Sequence, residues 1–111
     1  MNFESSSSAI IQTVKKLCQK KHVPVQCEVA STGSLYFTIE SMPVHLTFRI
    51  SDHLKSKKAA SRMRTLLIQK NTKMATVERF VENRIKALKQ IVVSVLLRGL
   101  NLATTQEAYA S

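Results

Sequence analysis

The stretch VPVQCEVASTGSLYFTIESMPVHLTFRI (residues 23–50) alternates apolar and polar side chains with a period of two. Val25, Cys27 and Val29 fall on one side against Gln26 and Glu28, and Val44, Leu46, Phe48 and Ile50 alternate with His45, Thr47 and Arg49. Between them, SLYFTIES is rich in aromatic and β-branched residues that favour extended backbone. STG and MP supply the turn chemistry. The spacing predicts three short strands in an antiparallel meander, with one apolar face that helices must cover. Of Tyr36 and Phe37, adjacent on a strand, one must point into the core.

Outward from the strands the period lengthens to that of a helix. On the N-terminal side Ile10, Ile11, Val14, Leu17 and Cys18 recur at helical steps, with an N-cap candidate among Ser5 to Ser8 and Pro24 barring continuation. A helix over 7–21 is expected, after a disordered start over 1–6. Its Lys15, Lys16, Lys20 and Lys21 lie off the apolar stripe, and the last pair suits a helix C-terminus electrostatically.

On the C-terminal side comes ISDHLKSKKAASRMRTLLIQKNTK (residues 50–73), which has no acidic residue after Asp52. Asp52 or Ser56 can cap a helix with Ala59, Ala60, Met63, Leu66 and Leu67 as its apolar stripe. Lys55, Lys58 and Arg62 then line up on another side, beside Lys57 and Arg64. QKNTK reads as a break, so residues 7–73 form a unit of helix, three strands and basic helix. A long helix follows over 74–101, with apolar residues from Val77 to Leu96 at three- and four-residue steps and Glu78 and Glu82 read as first-turn acids. Its segment IVVSVLL, apolar nearly all round, needs cover from the rest of the chain or from a second copy, with Ile91, Val92, Val95 and Leu96 as the self-association residues. Gly99 is expected to close that helix, leaving 102–111 as a tail. The expected fold is one α+β domain, α-β-β-β-α-α, with a three-stranded antiparallel sheet packed by helices.

Composition narrows the function. A chain of 111 residues holds one modest core, and 44% hydrophobic residues exclude compositional disorder. The net charge of +10 points to a polyanionic partner. No basic, apolar leader pattern opens the chain, and IVVSVLL is far shorter than the roughly 20 residues of a membrane span, so a cytoplasmic protein without a membrane partner is expected. Cys18 and Cys27 lack CxxC spacing and read as reduced, semi-buried hydrophobes. Together with His22 they are also the residues from which a metal site could be imagined, at irregular spacing; no metal or other cofactor is expected. The two glycines form no phosphate loop, and the few carboxylates form no acid–base pair, so a non-enzyme is expected.

Lysines in the first turn of a helix oppose the macrodipole unless an anion docks there. Lys55, Lys57, Lys58, Arg62 and Arg64 are therefore the expected phosphate contacts, supplemented by Lys15, Lys16, Lys20, Lys21 and Arg49. Little sequence discrimination is expected, with Arg49 and Arg62 each able to make one base contact.

Two resemblances add to this. LCQKKHVPVQCEVASTG, then strands, then KSKKAASRMRTLL, resembles the double-stranded RNA-binding domain family, whose last helix opens with a Ser-Lys-Lys run that grips phosphates. Ser56, Lys57 and Lys58 match that run, and Leu17-Cys18-Gln19 and Pro24 match the usual first helix and strand. The chain departs from the family in its STGSL loop, at Arg64 and Thr65 where paired alanines are usual, and in its added helix. The second resemblance, carried by Tyr36, Arg49, Ser51, Asp52 and His53 in SLYFTI and LTFRISDH, is to small accessory proteins of phages, prophages and plasmids. The resemblances imply nucleic-acid binding, DNA or RNA, by a mobile-element protein. Binding of a host protein complex, to inhibit or redirect it, is the rival expectation, and self-assembly as a homodimer through the last helix is another.

Overall fold

The computed structural model of the chain describes residues 1–54 and 63–110, with side chains described as far as Gly99. Helix α1 (Phe3–Lys20) precedes strands β1 (Val25–Val29), β2 (Leu35–Ser41), β3 (Val44–Ser51) and β4 (Thr65–Leu67), and helix α2 (Met74–Ala110) closes the chain. The fold is α+β, with the meander where the period-two alternation lies. Its sheet, however, has four strands in the order β1-β2-β3-β4, and β4 pairs parallel to β3. The expectation of a purely antiparallel three-stranded sheet is corrected accordingly.

Register explains which face is buried. Leu35↔Ile50, Phe37↔Phe48 and Ile39↔Leu46 are direct partners of β2 and β3, so their side chains share one face. Both helices lie over that face and pack against each other: α1 contributes Ile10, Val14 and Cys18, and α2 contributes Val77, Val81, Ile85 and Leu88. Phe48 sits at the centre, stacked on Phe37 with ring centroids 5.3 Å apart and meeting the edge of Phe80 at 5.7 Å. Tyr36, one residue from buried Phe37, faces away from the helices, as the pleat requires.

The turns follow from local chemistry. Gly33, at φ +89°, donates its N–H to the Ala30 carbonyl at 2.9 Å and supplies the left-handed residue that closes the β1–β2 turn. Met42 and Pro43, joined by a cis peptide, link β2 to β3.

Helix α1 starts earlier than the apolar spacing indicates. Asn2, not one of the serines, is the N-cap, its side chain accepting from the Ser5 N–H at 3.1 Å, and Phe3 is already buried in the core. The N-terminal ammonium donates to the carbonyls of Gln69 and Lys70. The expected disordered start is thus the first turn of a packed helix. At its other end the Val23 N–H bonds the Cys18 carbonyl and the His22 N–H bonds that of Gln19, a Schellman ending with His22 at φ 57° where glycine is usual. Substituting His22→Gly is expected to raise stability by about 1 kcal/mol, because a side chain in the left-handed region costs roughly that much. The urea midpoint measures it; no gain would mean that the imidazole contributes a compensating contact.

The predicted basic helix is corrected where it is described. Thr65–Leu67 is a strand, with the Arg49 N–H donating to the Arg64 carbonyl at 3.0 Å and the Ile68 N–H to the Ser51 carbonyl at 2.8 Å. It satisfies the open edge of β3, and Leu66, opposite Ile50, extends the apolar face. The remainder of that expected helix, residues 55–62, lies outside the described residues. Helix α2 runs on through Gly99 to Ala110, where a tail was expected, and its first turn holds no acid, Glu78 and Glu82 lying further along. One glycine costs a helix only about 1 kcal/mol, which flanking helix formers offset.

Candidate nucleic-acid interface and a buried polar cluster

Among the described residues the exposed cations come from two helices, the start of β4 and the loop after it, which carries Lys70 and Lys73. On α1, packing of Ile10, Val14 and Cys18 into the core turns Lys15, Lys16, Lys20 and Lys21 outward, and all four are exposed. Lys20 lies in the last turn, where its charge complements the helix dipole. Arg64 is exposed just before β4. Lys55, Lys57, Lys58 and Arg62 lie outside the described residues.

Arg84 is a neighbour of Arg64 that the sequence reading missed. It is half-buried on α2, its guanidinium carbon 6.0 Å from the Phe80 ring centroid, and its Nε is buried without an acceptor among the described residues. Burial first, and the positive charge of Arg64 second, lower its pKa. Two guanidinium groups thus influence one another at the edge of the sheet. In the sequence Arg84 stands among Glu78, Arg79, Glu82 and Lys86, which reads as a balanced solvated face. Among the described residues the one ion pair is Asp52–His53, at 3.0 Å, so the exposed lysines and arginines there have no carboxylate partner.

Arg49 is not part of this surface. It is 1% exposed, and its Nη2 donates to the Ser34 hydroxyl at 2.9 Å, while Nε and Nη1 find no acceptor among the described residues. Alternation places it on the strand face turned from the helices, beside Tyr36, whose ring centroid is 6.0 Å from the guanidinium carbon. Its side chain is thus enclosed and lies apart from the exposed cations.

Around Arg49 lies a polar cluster that the sequence does not announce. The Ser34 and Ser51 hydroxyls are 2.8 Å apart, and His53 reaches Ser51 through Nδ1 at 3.2 Å and Ser34 through Nε2 at 3.4 Å. Asp52 Oδ1 lies 3.0 Å from His53 Nδ1. The connectivity Ser34–His53–Asp52 has the order of a hydrolytic triad, but both serines are completely buried, so no acyl carbon can approach either oxygen. What the cluster does is tie the beginning of β2 to the end of β3.

Other candidate sites fare similarly. A cleft of about 400 Å³ between the start of α1 and the β1–β2 turn is lined by Phe3, Ser7 and Thr32 among others, and carries Glu4 and Asp52, which repel a polyanion. Cys18 points into the core, where burial pushes its thiol from 9.0 to about 11, and Cys27 is raised by burial, with Lys15 opposing and Glu28 reinforcing. His22 lies past the end of α1, and among the described residues no three His, Cys, Asp or Glu side chains gather as metal ligands. No helix among the described residues is long and apolar enough to cross a membrane. The expected self-association residues stand out from the body on α2: Ile91 is 40%, Val95 39% and Leu96 56% exposed, with Val92 half-buried.

No family model, curated protein or solved structure matches the chain.

Proposed function

We propose that the protein binds nucleic acid without catalysing a reaction, holding the backbone by phosphate contacts. The observation that carries this reading is the unpaired state of the exposed cations: among the described residues no lysine or arginine has a carboxylate partner, in a chain of net charge +10. Lys15, Lys16, Lys20 and Lys21 on α1, with Arg64 and Arg84 at the sheet edge, are the contacts, joined by Lys55, Lys57, Lys58 and Arg62. Buried Arg49 leaves few groups to read base edges, so sequence preference is weak and DNA and RNA both qualify. In this reading the protein works without a cofactor in the cytoplasm of a bacterium or infected host, and the likeness of its RISDH segment to mobile-element proteins suggests such an origin.

Fluorescence anisotropy with a labelled duplex and a labelled single strand, at several salt concentrations, tests it. The logarithm of affinity is expected to fall with the logarithm of salt at a slope of about −4 to −7. Lys20→Glu with Lys21→Glu is expected to flatten that slope by about 2, since each lost lysine contact removes about one counterion. A purified protein that ignores both strands yet captures a host complex would transfer the basic surface to an acidic protein groove instead.

A further inference from the structure

The packing of the sheet edge on α2 brings Arg64 and Arg84 together. The Arg49 N–H bonds the Arg64 carbonyl and Thr65 lies opposite Arg49, which places Arg64 level with Phe48 at the start of β4. Leu66, two residues on, packs on the core side of the sheet, so alternation turns Arg64 to that side as well. There the Phe48 ring meets the edge of Phe80, and Arg84, one turn further along α2, holds its guanidinium carbon 6.0 Å from the centroid of that same ring. Arg64 is exposed and Arg84 half-buried, so solvent reaches the pair beside β4.

No carboxylate balances them. The helical neighbours of Arg84 at three and four residues are Phe80, Val81, Ala87 and Leu88, and the chain from residue 53 to residue 77 contains no Asp or Glu. Among the described residues neither guanidinium has an ion pair, and the Arg84 Nε is buried without an acceptor. Burial and the charge of Arg64 both count against the protonated Arg84, and an oxygen anion between the two relieves both. The planar fork of a guanidinium fits two phosphate oxygens, and the Phe80 ring already positions the Arg84 fork, which lowers the entropy lost on binding.

Charge selects the kind of phosphate. A backbone diester carries a single negative charge and balances one arginine, whereas a terminal monoester carries about 1.5 to 2 at neutral pH and balances both. The lysines of α1, spread along an exposed helix, suit successive diesters instead.

We propose that Arg64 and Arg84 together hold the terminal phosphate monoester of a nucleic-acid strand. This rests on the phosphate-binding reading and deepens it, adding the strand end as the preferred feature.

Fluorescence anisotropy of the full chain tests it, with an internally labelled oligothymidine strand, alone and annealed to oligoadenine, that carries a 5′-phosphate, a 3′-phosphate or hydroxyls at both ends. A phosphorylated end is expected to raise affinity about tenfold over the hydroxyl strand, in the range of charge-assisted hydrogen bonds. A preference for either phosphate supports the site and says which end enters it. Arg64→Gln and Arg84→Gln are each expected to remove most of that ratio, whereas Lys20→Glu with Lys21→Glu weakens binding of all three strands and keeps it. Arg64 is exposed, so its variant carries the test whatever Arg84→Gln does to folding. Equal affinity for the three strands, or a ratio that survives Arg64→Gln, would overturn the site and leave the phosphate-binding reading in place. Failure to bind any of them, single or annealed, would overturn both.

Discussion

Phe48→Ala is expected to destabilise the protein by about 3–5 kcal/mol, the range for deleting a fully buried aromatic ring. Phe48 has no exposure, and its ring contacts another ring from each side: Phe37 stacks on it from the neighbouring strand and Phe80 meets it from α2. Removing it opens a void at the junction of sheet and helix. The interior there is built on paired strands that cannot slide together, so collapse fills little of that void. A domain of this size is stable by only about 5–15 kcal/mol, so the variant loses a large share of its margin. Urea denaturation followed by circular dichroism measures the loss. Phe80→Ala serves as control, with a smaller expected loss because Phe80 is only half-buried. Equal losses for the two would move the centre of the core from the sheet to α2.

Arg49→Met is expected to act in the opposite direction, raising stability by about 1–3 kcal/mol. This guanidinium is 1% exposed, and among the described residues its hydrogen bond goes to a neutral hydroxyl. Desolvating an ion costs several kcal/mol even after relaxation, and neither Ser34 nor the Tyr36 ring supplies a full opposite charge. Methionine keeps most of the stem's packing and removes the charge. Ser34 keeps its 2.8 Å partner Ser51 and its longer contact with His53, so no new orphan is created there. Arg49→Ala should gain less, because it also removes the buried methylenes. The unfolding midpoint of both variants, with duplex affinity measured alongside, decides the matter. Affinity within about twofold of wild type is expected from a residue outside the phosphate-binding surface. A lower midpoint for Arg49→Met would mean that the guanidinium has an effective counter-charge.

These two residues also show what the sequence discloses. Phe48 is legible: it lies on the apolar side of an alternating run, and alternation alone puts it under the helices. Arg49 is next to it on the polar side, and alternation says which face a residue takes but not whether that face meets water. The meander and the long helix were readable because each rests on a repeated local period. Strand β4 was not, because Leu66 and Leu67 with Met63 and Ala60 fit helical spacing equally well, and the partner that makes them a strand is Ile50, far back in the chain. Phe3 escaped notice for a similar reason, having no periodic neighbours before it. At the candidate interface, the outward lysines of α1 follow from the stripe opposite them. Arg84 does not, because its neighbour Arg64 is brought to it only by the pairing of β4.

The tethering of the amino terminus to the Gln69 and Lys70 carbonyls, together with the packing of α1 on α2, joins the two ends of the described body across most of its length. The hairpins close short loops and can form early in folding, whereas this joint closes a long one and entropy delays it. Until it closes, the inner surface of the sheet stays wet. Neither helix therefore marks off an independent half, and the body is expected to melt as a single cooperative unit.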